Sequence, residues 1–337
     1  MRTFYLKNWF VLSLPLVVAL AWLVPELGAS GGWLQSQVTT KVGVAIIFFF
    51  QGLTIPTSAL HHGLKNWRLH LIVQLFIFGL FPLLGMVFDH LAGDYMPRDL
   101  RLGFLFLSVL PSTISTSPVL TSMAGGNTVG AIFNAVLSNL LGIVLTPLWA
   151  SWLMKTSGHK RPLGPVIAEV VLYLFVPLLI GQVARLRLHA LADARRKILG
   201  NMNSGLVLFI VFAAFCNSVK THVWRMHGWG VTLGAMAGVL VLFGVATALA
   251  ELLAWAFRLN RGDQIVAVFA GPHKTLASGV PMAKVIFEQH PGLGLILLPI
   301  MFYHPLQLFV CGMMAHRMAR KHGQEGGSPN AHEAGKK

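Results

Sequence analysis

The sequence predicts an all-α polytopic membrane protein of about ten transmembrane helices in two inverted five-helix repeats, with one broken helix in each repeat. Three observations predict it. Of 337 residues, 55% are hydrophobic and only 11% charged, with a mean hydropathy of +0.67, whereas a soluble domain carries about 25% charged residues. The apolar residues fall in helix-length, nearly uncharged runs such as Val11–Leu23, Leu71–Phe88, Val129–Leu145, Val231–Leu249 and Leu293–Cys311. Two of the spans are interrupted by proline among small polar residues, at matching places in the two halves.

Crossing the hydrocarbon core takes about 20 residues of helix. Only helices and closed barrels satisfy their backbone in lipid. The runs lack period-two alternation, so helices are expected. They place spans near 8–27, 38–60, 69–89, 100–124, 127–154, 165–184, 201–219, 229–257, 263–287 and 292–316. Met1–Trp22 is shaped like a signal peptide, but no small-x-small cleavage site follows it, so it reads as the first span.

The net charge is +15. On a soluble chain this would suggest nucleic acid. Here the lysines and arginines sort by side: sixteen fall in the segments on the N-terminal side of the membrane and seven on the other. That is the positive-inside bias. It places both termini in the cytoplasm and makes the bilayer, not nucleic acid, the partner; a bacterial inner membrane is the expected location. Cys216 and Cys311 lie in apolar runs and give neither metal spacing nor a disulfide framework. The basic stretch Arg185–Gly200 is too hydrophilic to span and is expected as a short helix on the inner surface.

The chain divides near Lys155–Gly164, giving repeats at 1–155 and 164–319 and a disordered cytoplasmic tail at 320–337. Five spans on each side of the division make the halves inverted in the membrane. The fourth span of each half holds the interruption. In the first half it runs Leu110-Pro-Ser-Thr-Ile-Ser-Thr-Ser-Pro118, followed by Gly125-Gly-Asn127. In the second it runs Gly271-Pro-His-Lys-Thr-Leu-Ala-Ser-Gly-Val-Pro281. Proline removes a backbone donor and clashes with the preceding turn, so both helices should unwind at mid-membrane, around Pro118 and Pro281. Unwound backbone is tolerated there only against protein or water. Paired interruptions are the best sequence pointer to a transporter site.

Lys274 lies within the second interruption. A lysine at the centre of a span is costly, so it must be paired, neutral or facing water. It could fill a cation site, bind an anionic group or exchange protons. Ser115, Thr116, Ser117 and Pro118 flank the first interruption; His273, Lys274, Thr275 and Ser278 form the second. Asn127, Asn134 and Ser138 share one helix face after the first interruption. Gln51, Gln74, His304 and Gln307 are further polar residues within spans. Lys284 reads as an interfacial partner of Glu288, and Glu251 stands seven residues before Arg258 in an apolar helix. No enzyme motif appears: there is no glycine-rich phosphate loop, His-Glu-x-x-His or Gly-x-Ser-x-Gly. No cofactor or catalytic residue is expected, and any driving force must be an ion gradient, of protons or sodium.

Gly271-Pro-His-Lys-Thr-Leu276, Gly279-Val-Pro-Met-Ala-Lys284, Tyr303-His-Pro305 and Phe49-Phe-Gln-Gly-Leu53 resemble the bile acid:sodium symporter-like family, in the branch that contains solute carrier 10 member 7. The resemblance covers about residues 5–320. It implies a panel domain of spans 1, 2, 6 and 7, and a core domain of spans 3–5 and 8–10 in which the broken helices cross. It implies that Gln74 matches a third-span glutamine of the sodium site. Where sodium-coupled members carry Ser-Asn, the nearest match is Ser117-Pro118; where they carry a sodium-binding acid and a glutamine, Ala270 and Lys274 stand. The expected function is therefore secondary transport of a small organic anion by alternating access, with the interruptions and Gln74, Asn127 and Asn134 forming the site. A passive channel and a membrane-embedded regulator are the alternatives.

Overall fold

The computed structural model describes residues 2–55, 66–156, 163–287 and 290–325. Among these the chain is all-helical. The helices are α1 (Arg2–Leu23), α2 (Ser36–Thr54), α3 (Trp67–Ala92), α4 (Arg98–Ser108), α5 (Thr116–Met123), α6 (Thr128–Thr156), α7 (163–194), α8 (Arg196–Lys220), α9 (Val223–Ala256), α10 (Arg261–Ala270), α11 (Leu276–Ile286) and α12 (Leu293–Glu325). Seven described helices are long and apolar enough to cross a membrane: α2, α3, α6, α7, α8, α9 and α12. Exposed Trp22, Trp33, Trp67 and Trp152 lie at or near helix ends, where an aromatic belt belongs.

Two packing groups are evident. In one, α2 lies along α7, α1 along α8, and α8 against α2. The α2–α7 crossing is close because Gly52 and Gly181 face opposing backbone: a Cβ on Gly52 would run into the Leu178 carbonyl, and one on Gly181 into that of Phe49. The last turn of α2 is satisfied from α7. Gln182 Nε2 donates to Gly52 O at 2.6 Å, and Arg185 Nη1 donates to Leu53 O at 2.7 Å. These carbonyls have no partner within their own helix. In the other group α4 packs on α12 and α3, α5 on α6 and α10, and α9 on α10 and α12. α11 and α12 also touch α8, joining the groups.

Three sequence expectations are corrected. The basic stretch after residue 185 is not a separate surface helix. It forms the end of α7 and the start of α8, which meet at Arg195. Arg185 holds this corner by pairing with both oxygens of Asp193, at 3.0 and 3.1 Å. The tail boundary shifts, because α12 continues to Glu325; residues 326–337 lie outside the described residues. The unwound segments are 109–115 and 271–275, so the prolines within them are Pro111 and Pro272. Pro118 is the third residue of α5, where its missing N–H is an orphan anyway, and Pro281 lies inside α11.

Candidate functional site

The two interruptions meet. Thr275 N donates to Pro111 O at 3.1 Å, and Ser112 Oγ donates to Ala270 O, at the end of α10, at 2.7 Å. Each unwound segment strands backbone groups that must be paired when buried. For the first, the partners come from α6. Ser138 Oγ accepts from Ser112 N at 2.7 Å. Asn139 Nδ2 donates to Ser112 O at 2.7 Å, and Thr146 Oγ1 to Val109 O at 2.7 Å. The same helix makes room for the proline, since a Cβ on Gly142 would lie 2.8 Å from the Pro111 ring. For the second, the partners come from α12. Tyr303 OH donates to Pro272 O at 2.8 Å. Gln307 Oε1 accepts from Lys274 N at 2.9 Å, and its Nε2 donates to Lys274 O at 2.8 Å.

Lys274 is completely buried. Its ammonium donates to Leu110 O at 2.8 Å, Ser108 O at 2.9 Å and Ile77 O at 3.4 Å, and lies 4.0 Å from the centroid of the Phe81 ring. An ammonium has three donors, and here each has a carbonyl. Ser108 ends α4, and Leu110 lies two residues beyond, at the negative end of that half-helix. Ile77 belongs to a π-helical turn of α3, Phe76–Leu80. Such turns disturb the regular ladder and recur at functional sites; here Trp149 Nε1 takes the neighbouring Phe78 O at 3.0 Å. The lysine is thus held by peptide dipoles and an aromatic face.

Around this centre the other expected residues separate. Ser278 is at the crossing: its hydroxyl donates to Asn139 Oδ1 at 3.2 Å and accepts from Gln51 Nε2 at 3.1 Å. Gln51 lies on α2, so this contact joins the two packing groups. Gln74 and Asn134 form a pair, with Gln74 Nε2 donating to Asn134 Oδ1 at 3.1 Å. Asn134 Nδ2 in turn lies 2.9 Å from His70 Nδ1. Thr116 Oγ1 and Ser117 N both donate to Thr113 Oγ1, at 2.7 and 3.1 Å, which caps the first turn of α5; Pro118 is buried and Ser115 exposed. His273 is fully buried. Both its ring nitrogens, Ser117 Oγ and Gln74 Oε1 lack a hydrogen-bond partner among the described residues. Buried polar atoms of this kind call for water or a ligand.

Asn127 is not brought to the crossing. Its Nδ2 donates to Asp263 Oδ1 at 2.8 Å, and Asn66 and Asn260 donate to Oδ2 at 2.6 Å each. This clamp ties the starts of α3, α6 and α10. Asp263 was not singled out from the sequence, although Asn260-x-x-Asp263 is a capping signature that announces it. Phe81 and Ser108 were also missed; an apolar ring and a backbone carbonyl leave no sequence signal. Leu110 and Tyr303 lie in motifs that the sequence singled out, but their roles as acceptor for Lys274 Nζ and donor to Pro272 O were not legible there. Lys284 is buried rather than interfacial, and Glu288 lies outside the described residues.

Long apolar helices together with two interrupted helices joined at a polar crossing define a polytopic membrane transporter rather than an enzyme. The chain belongs to the SBF-like CPA transporter family, whose sequence profile matches residues 8–320. It is 33% identical to the putative symporter YfeH of Escherichia coli, over 95% of this chain and 96% of that one. It is 35% identical to an uncharacterized protein of Pseudomonas aeruginosa, over 95% of both chains. It is 31% identical to sodium/bile acid cotransporter 7 of Danio rerio, over 90% of this chain and 91% of that one.

Proposed function

We propose that the protein is a secondary active transporter of a small organic anion, working by alternating access in a bacterial inner membrane with both termini cytoplasmic. The half-helices α4, α5, α10 and α11 have 11, 8, 10 and 11 residues. At 1.5 Å per residue none reaches across about 30 Å of hydrocarbon. Taken in series they make two spans, and with α1 and the seven long helices they give ten. The inverted repeats at 1–155 and 164–319 follow from that count. The placement of backbone partners on α6 for one interruption and on α12 for the other supports the repeat.

The observation that carries the reading is the buried Lys274 ammonium on the Ser108 and Leu110 carbonyls. It acts as a built-in cation at the crossing. A second cation about 4 Å away would be repelled by about 4 kcal/mol at an effective dielectric of about 20, roughly a thousandfold in occupancy. Sodium is therefore excluded beside it. The fixed charge and the N-terminal ends of α5 and α11 favour an anionic substrate group. Ser115, Thr116, Ser117, His273, Thr275 and Ser278 are the groups that would contact it, with Gln74 and Asn134 supporting α3 against α6. The test is uptake of a panel of organic anions into proteoliposomes, with sodium and proton gradients imposed separately. Saturable uptake without sodium is expected. Strict sodium dependence would remove the built-in-cation reading, and the absence of flux for every anion under any gradient would remove the transporter reading.

A further inference from the structure

The half-helices that follow the two interruptions, α5 and α11, hold equivalent places in the two halves, yet their surroundings differ. α11 packs on α2, α7 and α8 as well as on α6 and α12, and all of its residues except Ala277 are buried. The main partners of α5 are α6, α10 and α12, none of them from the group of α1, α2, α7 and α8. One face of α5 is left open, with Ser115, Val119, Ser122 and Met123 exposed. The open faces of α7 and α9 carry Leu179, Ile180 and Val183, and Leu240, Val241 and Val245. Serines interleaved on the α5 face suit a water-filled path rather than lipid.

A small contact closes the other side. Ser218, near the end of α8, is completely buried. Its Oγ accepts from Gly294 N at 3.0 Å and donates to Pro291 O at 3.4 Å. Gly294 is the second residue of α12, so its N–H has no acceptor within that helix. A residue of α8 thus caps α12. The approach is close because Gly294 has no side chain: a Cβ there would lie 2.6 Å from Ser218 Oγ. Each side of the contact is tied to its own group. Asn217 Oδ1 accepts from Ser30 N at 2.8 Å, and Lys220 pairs with Glu26 at 2.9 Å, which holds the end of α8 to the turn between α1 and α2. Across the contact, His290 Nε2 lies 3.6 Å from Asp99 Oδ1, and a Cβ on Gly292 would run into the Asp99 carboxylate, which holds the α11–α12 turn to the start of α4. Two hydrogen bonds from one hydroxyl therefore join two separately anchored bodies, and water can replace both.

We infer that the structure is the cytoplasm-facing state of the transport cycle and that Ser218 is its outer seal, the contact that parts when the site turns outward. The inference rests on the transporter reading above, which places the end of α5 on the cytoplasmic side and the ends of α8 and α11 on the outer side.

The test is labelling by a membrane-impermeant maleimide. The natural Cys216 and Cys311 are buried and serve as the unlabelled background. Val119→Cys should react rapidly from the cytoplasmic side. Ala214→Cys, one turn before Ser218 and buried beneath the contact, should react slowly from the outer side. Adding Ser218→Ala should speed that outer reaction about fivefold, the worth of one helix cap. Oxidation of Ser218→Cys with Gly294→Cys should crosslink the pair and abolish uptake, and reduction should restore it. An unreactive Val119→Cys, an outer rate unchanged by Ser218→Ala, a pair that does not crosslink, or full uptake by the crosslinked pair would each overturn the inference. Labelling needs no substrate, so it decides the seal by itself, and absence of uptake by the natural protein counts against the transporter reading alone.

Discussion

Gln307 pairs with both backbone groups of Lys274, accepting from its N–H at 2.9 Å and donating to its carbonyl at 2.8 Å. One side-chain amide thus does for an unwound peptide what a neighbouring turn does inside a helix. Its Nε2 also lies 2.9 Å from His304 Nδ1. Gln307 is completely buried, so water cannot replace it easily.

Replacing it tests how the second interruption is held. Gln307→Ala strands a buried N–H and a buried carbonyl, each worth about 1–3 kcal/mol. The variant should lose monodispersity in detergent at a clearly lower temperature than the natural protein. Gln307→Glu keeps an acceptor for Lys274 N and should fall between the two. Equal thermal stability of all three would show that the segment is paired in another way.

The prolines should not behave alike. Pro118 sits in the first turn of α5, where no intrahelical bond is lost, so Pro118→Ala should leave transport near that of the natural protein. Pro281 is inside α11, and Pro281→Ala allows a straight, fully bonded helix. It should lower uptake severalfold while expression and stability are kept or improved. The two variants are compared by initial uptake rate per folded protein; a larger loss in Pro118→Ala would reverse this assignment.

Charge asymmetry and the proposed span count together predict a topology with both termini cytoplasmic. A reporter fused after Lys337 should read the cytoplasmic side, and one inserted within Thr156–Arg161 the opposite side. Reporters reading the same side would break the ten-span arrangement and with it the inverted repeats.

How far the sequence leads can be seen residue by residue. Long apolar runs are legible because lipid imposes a composition, and α2, α3, α6, α7, α8, α9 and α12 appear where those runs lie. The interruptions are legible because proline and small polar residues are unusual in lipid. Their limits are not. Pro111 and Pro272 unwind the chain where polar side chains of α6 and α12 can take up the stranded backbone, and that depends on tertiary partners. The surface helix expected after Arg185 fails for the same reason: hydrophilic residues there extend two helices beyond the apolar core, and pairing with Leu53 and Asp193 makes the continuation stable. Lys274 was legible as an anomaly, but its partners are carbonyls of Ile77, Ser108 and Leu110, which any sequence would supply.

Those carbonyls allow the built-in cation to be tested by removing it. Lys274→Ala takes away the ammonium and leaves three carbonyl oxygens around the space it filled. Oxygen dipoles at a half-helix C-terminus are what a hard monovalent cation binds in membrane proteins. The variant should therefore be impaired in the absence of such ions and recover when sodium is added, whereas the natural protein is expected to be indifferent to sodium. Lys274→Met fills the same space with an apolar chain, leaves no room for an ion, and should stay impaired at every sodium concentration. The measurement is initial uptake against sodium concentration for the three proteins, with thermal stability in the same buffers as a second readout. Stabilisation of Lys274→Ala alone by sodium is the expected pattern. Identical sodium responses in Lys274→Ala and Lys274→Met would mean that the carbonyls do not form a cation site, and that Lys274 serves the fold rather than replacing an ion.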